Sequence, residues 1–115
     1  MRFVGVLGLA AFVSGLLVGQ SAALAASAEK GKDSYMKYGC WGCHGMVGQG
    51  GITGPKLAPE PLPIEAFVGF VRQTNRGMPP YMEPVLPNED LADIHAYLAS
   101  IKKGPEAKDI PLLNQ

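Results

Sequence analysis

Cysteine and histidine are scarce in this 115-residue chain, which has two of each. Two cysteines allow one disulfide at most, and His95 stands far from the cluster that holds His44, so a four-ligand zinc site lacks workable spacing. An excess of either charge is also missing: ten Lys and Arg balance ten Asp and Glu. Nucleic-acid binding needs a concentrated basic face and is not suggested. There is one long apolar run, Phe3 to Val18 (FVGVLGLAAFVSGLLV), and its sixteen residues fall slightly short of the ~20 that span a bilayer. What remains, near-zero charge with 47% hydrophobic residues, places the chain with single compact globular domains rather than disordered or fibrous ones.

The apolar run follows Arg2 and leads into the small-residue stretch SAALAASA, the layout of a secretory leader with an A-x-A cleavage site. Residues 1–25 are read as a signal peptide cleaved after Ala25, with Ala28 as the second position and an uncleaved membrane anchor as the alternative. No cysteine stands at that boundary, so lipid attachment there is excluded. Residues 26–104 form the domain and residues 105–115 a polar, proline-containing tail that is expected to be loosely ordered. Without Arg2, nine basic residues face ten acids. A domain this small buries only ~60% of the surface its unfolded chain exposes, so a staple, metal or prosthetic group is useful to it.

Both cysteines and one histidine fall within CWGCHG, residues 40–45. A Cys40–Cys43 disulfide suits an exported chain, but it closes a very small loop and removes little unfolded-state entropy. A thioredoxin-like pair wants a βαβ pattern around it, whereas the chain downstream is Gly/Pro-rich loop and helix. The reading that uses every residue is C-x-x-C-H as a c-type haem attachment sequence. Cys40 and Cys43 then add to the haem vinyl groups as thioethers, and His44 ligates the iron from below the ring.

Helix signals surround this motif. Ser27–Tyr38 has good helix formers, a Ser27 cap and Gly39 as terminator; Gly31 inside it costs about 1 kcal/mol relative to alanine. Residues 45–63 hold five glycines and four prolines without any period and read as an irregular loop beside the haem. Pro63–Gly77 starts with proline, carries Ile64, Phe67, Val68 and Val71 at helical spacing and meets a natural cap in Gly77. Arg72 and Arg76, four apart on that helix, share a face and either meet the haem propionates or stay solvated. Asn88–Lys103 is the clearest helix, with an Asn cap, acids at its start, Lys102 and Lys103 at its end, and Leu91, Ile94, Tyr97, Leu98 and Ile101 on its buried face.

The ordered set Gly31-x-x-x-Tyr35, Tyr38-Gly39-Cys40, the CxxCH, Gly54-Pro55-x-Leu57, Gly77-Met78-Pro79 and Ile94-x-x-Tyr97-Leu98 resembles the small monohaem class I cytochromes c over nearly the whole domain. The resemblance implies an all-α fold of three to four main helices around one covalent haem c, with the N- and C-terminal helices crossing at Gly31. It assigns the Pro55 carbonyl to the proximal imidazole N–H and Leu57 to the haem contact.

Of the methionines beyond Met1, Met36 lies in the first helix, where packing is its expected role, and Met46 follows His44 too closely to reach the other ring face. Met78 and Met82 remain, both in RGMPPYMEP. The resemblance places the sixth ligand directly before a proline, at Met78, with Met82 as the alternative. Proline at 79 biases Met78 to an extended backbone, and Pro80 stiffens the loop further. His95 is read as a surface or edge histidine, with bis-His ligation as the competing arrangement.

The functional expectation is an extracytoplasmic, periplasmic single-electron carrier rather than an enzyme. Its redox partners are a donor dehydrogenase or quinol-oxidising bc1-type complex and a terminal acceptor oxidase or reductase; membrane contact is expected only if the N-terminal segment is uncleaved. The alternatives are a dedicated haem subunit of a periplasmic dehydrogenase complex, and a haem enzyme or gas sensor with a labile sixth ligand.

Overall fold

The computed structural model describes residues 25–115; residues 1–24, which hold the apolar run and all of the leader but Ala25, lie outside the described residues. Four α-helices follow in order: α1 (Ala28–Lys37), α2 (Trp41–His44), α3 (Ile64–Gln73) and α4 (Asn88–Ser100). Two single 3-10 turns, Ala107–Asp109 and Pro111–Leu113, lie in the exposed tail. The described residues contain no strand, so the architecture is the all-α one that the resemblance implies. Among them no helix is long and apolar enough to cross a membrane.

α1 begins where the Ser27 hydroxyl accepts the Lys30 N–H at 3.3 Å, with Glu29 in its first turn and Lys37 in its last. Gly39, at φ +77°, reverses the chain straight into the cysteine motif, a left-handed conformation that other residues adopt with strain.

α1 and α4 pack across each other, and Gly31 makes the approach possible. A Cβ at this position would collide with the Asp93 carbonyl and stand 2.9 Å from the Tyr97 Cβ. Around the crossing, Tyr35, Leu91, Ile94 and Leu98 are almost wholly buried, and the Tyr35 and Tyr97 rings stack at a tilt, 5.5 Å between centroids. Each aliphatic side chain so buried contributes about 1.5–3 kcal/mol. The Asp93 carboxylate accepts the Ser27 N–H at 2.6 Å and ties the start of α1 to the middle of α4.

Two helices are shorter than their sequence pattern. α3 stops at Gln73 because Thr74 turns extended and its hydroxyl accepts the Arg76 N–H at 3.4 Å, a local bond that competes with the helical ladder. Gly77 is therefore a loop glycine at φ +82° rather than a helix cap, and Arg72 and Arg76 do not share a helical face. α4 starts on Pro87, with Asn88 as its first residue rather than its cap. The Asn88 amide is engaged elsewhere: its oxygen accepts from Arg72 at 2.7 Å, and its nitrogen donates to Glu83 at 2.8 Å. At the other end, Ile101 turns extended and leaves Lys102 and Lys103 outside the helix.

Candidate haem site

The short helix α2 gathers the reactive residues. Its turn closes through His44 N–H to Cys40 C=O at 3.0 Å and Gly45 N–H to Trp41 C=O at 2.9 Å. Cys40, Cys43 and His44 thereby stand together in the wall of a cavity of about 510 Å³. That volume lies within the usual ~300–1,000 Å³ of ligand pockets. Both thiols are free, and burial pushes that of Cys40 up to about 11.

His44 is buried, and its Nδ1 lies 2.8 Å from the Pro55 carbonyl oxygen. A carbonyl can only accept, so Nδ1 carries the proton and Nε2 is the nitrogen left for the cavity. Gly54 permits this contact: a Cβ there would stand 2.9 Å from His44 Nδ1 and 2.8 Å from the Cys43 carbonyl oxygen. The segment between motif and Pro55 folds onto α2 through Gly50 N–H to His44 C=O at 2.8 Å, and the loop closes on itself through Leu57 N–H to Gly48 C=O at 2.8 Å.

The rest of the lining is mainly apolar. Leu57, Phe67, Val71, Leu86, Leu91 and Ile94 face the same cavity, and Met78 joins them from the loop after α3. Two thiols, an imidazole nitrogen and a thioether around an apolar cavity form a donor set that fits a flat, apolar ring carrying iron.

Residues 26–98 match the family model described as cytochrome c oxidase, cbb3-type, subunit III. The chain belongs to this cytochrome c family. Membership implies covalently bound haem c and haem-based electron transfer. No curated protein and no solved structure matches the chain.

In this cytochrome c domain, the sequence-named residues Cys40, Cys43, His44, Pro55, Leu57, Arg76 and Met78 all line the one cavity. Met82 does not line it and is largely exposed. Arg72 is not in the wall either: its guanidinium donates to the Tyr81 carbonyl and to Asn88, both at 2.7 Å. His95 turns away, with Nε2 2.8 Å from the Leu62 carbonyl oxygen and its ring edge-on to Phe67.

Sequence reasoning passed over the tyrosines as site residues. Tyr35, fully buried in the α1–α4 core, lines the cavity and donates its hydroxyl to the Gly45 carbonyl at 2.7 Å. Tyr97 reaches the next carbonyl, Met46, at 3.3 Å. The helix crossing thus grips the two residues that follow His44. Burial pushes the Tyr35 phenol up to about 12 and raises that of Tyr81, so both hydroxyls stay protonated donors at neutral pH. Gly54 was visible in the Gly-Pro pair, but its close approach to His44 belongs to tertiary structure.

Proposed function

We propose that the protein is an extracytoplasmic single-electron carrier with one haem c. Cys40 and Cys43 hold it as thioethers, His44 is the proximal iron ligand and Met78 the distal one. The observation that carries this reading is the shared cavity: Cys40, Cys43, His44 and Met78 all line one mainly apolar space. When bound, haem c supplies an iron that gains and loses one electron at a time. The single CxxCH motif supports a count of one.

The chain's own residues set the character of that centre. The Pro55 carbonyl orients the His44 ring and makes it a more basic ligand. A soft, neutral thioether from Met78 favours reduced iron and raises the potential relative to a second imidazole. If His44 and Met78 both hold the iron, they would leave it no position for oxygen or peroxide, as a one-electron carrier requires. The apolar side chains of α3 and α4 would keep water from the ring, and Lys56 and Arg76 are the lysine and arginine in the wall that can face a propionate.

Export is inferred from the leader pattern of residues 1–25. The partners are then redox proteins outside the cytoplasm: a dehydrogenase or quinol-oxidising complex as donor, an oxidase or reductase as acceptor. A second reading, a dedicated haem subunit of a periplasmic redox complex, is favoured by the family description, which names an oxidase subunit. Two measurements on the exported holoprotein test the proposal. Mass spectrometry after denaturation is expected to give the polypeptide plus one haem, retained through both cysteines. Carbon monoxide is expected to bind the reduced form slowly; rapid binding would favour a haem enzyme or gas sensor with a labile sixth ligand.

A further inference from the structure

We infer that Arg72 is a positioning residue for Met78, the bolt that holds the distal loop against the cavity. The inference rests on the reading of Met78 as the distal ligand.

The loop that carries Met78 has little to hold itself. Residues 74–87 contain no helix or strand, and prolines at 79, 80, 84 and 87 have no N–H to donate. Among the described residues, no backbone hydrogen bond involves residues 77–80. The first firm attachment after Met78 is therefore Tyr81, three residues on. Tyr81 is fixed at three atoms: its N–H donates to the Val71 carbonyl at 3.0 Å, its hydroxyl to the Tyr38 carbonyl at 2.9 Å, and its carbonyl accepts from Arg72 Nη1 at 2.7 Å.

Of these three, the Arg72 bond alone is charged, and charged hydrogen bonds are roughly twice as strong as neutral ones. The same guanidinium uses Nη2 to reach the Asn88 side-chain oxygen at 2.7 Å, and Asn88 in turn donates to Glu83 at 2.8 Å. One planar fork on the last turn of α3 therefore ties the loop at Tyr81 and again where it enters α4. Lysine, with a single ammonium, cannot set two donors at these two fixed directions. Arg72 stays off the cavity wall, so its influence on the iron passes through the loop.

When carbon monoxide enters through the opened loop, its association rate with the reduced protein scales with the fraction of molecules in which Met78 has left the iron. In the holoprotein, Arg72→Leu, which keeps part of the aliphatic stem, is expected to raise that rate about ten- to a hundredfold, the span set by losing a charged hydrogen bond. Arg72→Lys is expected to fall between this variant and the wild type, and Asn88→Ala, which removes one arm, to give a smaller rise. Should Arg72→Leu fail to fold, the ordering of Arg72→Lys and Asn88→Ala against wild type carries the same test.

The inference is overturned if the Arg72 variants bind carbon monoxide within about twofold of wild type while only their melting temperature falls. The iron–thioether charge-transfer band separates the two levels of failure. If wild type shows the band, Met78→Ala loses it and the Arg72 variants leave both band and rate unmoved, the clamp alone is wrong. If wild type lacks the band, the Met78 reading and the clamp fall together.

Discussion

The α1–α4 crossing and the two long loops, residues 45–63 and 74–87, enclose the same cavity by different means. The helix pair is held by interlocking side chains: Gly31 under the Asp93 carbonyl, with Tyr35, Leu91, Ile94 and Leu98 buried around it. The loops have no helix or strand; each sends one buried apolar side chain into the core, Ala58 and Leu86, and is otherwise tied by separate hydrogen bonds such as Tyr35 to Gly45, His44 to Pro55 and Arg72 to Tyr81. The helices supply a scaffold set by apolar pattern and one missing side chain. The loops are positioned by that scaffold and by whatever fills the cavity, and they carry Pro55 and Met78.

The crossing is where a single substitution does the most damage. Gly31→Val drives branched carbons into the backbone of α4, and a loss of ~3 kcal/mol or more is expected in denaturant unfolding, with haem attachment falling in parallel. A Cys40→Ala, Cys43→Ala double variant acts on the other side of the comparison. It is expected to lose covalent haem and to show faster hydrogen exchange across residues 45–63 and 74–87 while α1 and α4 keep most of their protection. Equal loss of protection in both regions would contradict the division.

Smaller changes sharpen it. Gly54→Ala presses on His44 Nδ1 and the Cys43 carbonyl, and overpacking of this kind costs about 1–3 kcal/mol. Its expected mark is a shifted reduction potential and altered haem spectrum with the helical circular dichroism unchanged. Tyr35→Phe removes one of the links between the two regions and is expected to cost about 1 kcal/mol in chemical denaturation. The same hydroxyl gives a pH signature. Burial raises its folded-state value to about 12 from 10.0, so the unfolded chain ionises first; this contribution is full below pH 10 and is lost as pH rises from there to about 12. Tyr35→Phe is expected to flatten that part of the alkaline stability profile.

The cysteine motif and the helix faces were readable because each depends on neighbours within a few positions, whereas the role of Pro55, whose carbonyl meets His44 eleven positions away, came from the resemblance. The CxxCH spacing fits one helical turn, and the stripe Leu91, Ile94, Leu98 emerged on the buried side of α4. The helix ends were not readable, because distant or competing bonds set them. Asn88 looks like a cap until Arg72, sixteen residues earlier, takes its side-chain oxygen. Arg72 and Arg76 look like a pair until Thr74 ends the helix between them. Likewise, the hydroxyl of Tyr81 meets a carbonyl 43 positions away, a partner that no local pattern encodes. For the sixth ligand, Met78 and Met82 lie in one short proline-rich stretch; in the structure Met78 lines the cavity while Met82 points out.

On the proposed function, the loops close an iron centre between His44 and Met78. The most direct measurement is the iron–thioether charge-transfer band of the oxidised holoprotein, recorded for wild type, Met78→Ala and Met82→Ala. The band is expected in wild type and Met82→Ala and to be absent from Met78→Ala. A wild-type protein without the band, or a band that disappears with Met82 and survives the loss of Met78, would contradict the account.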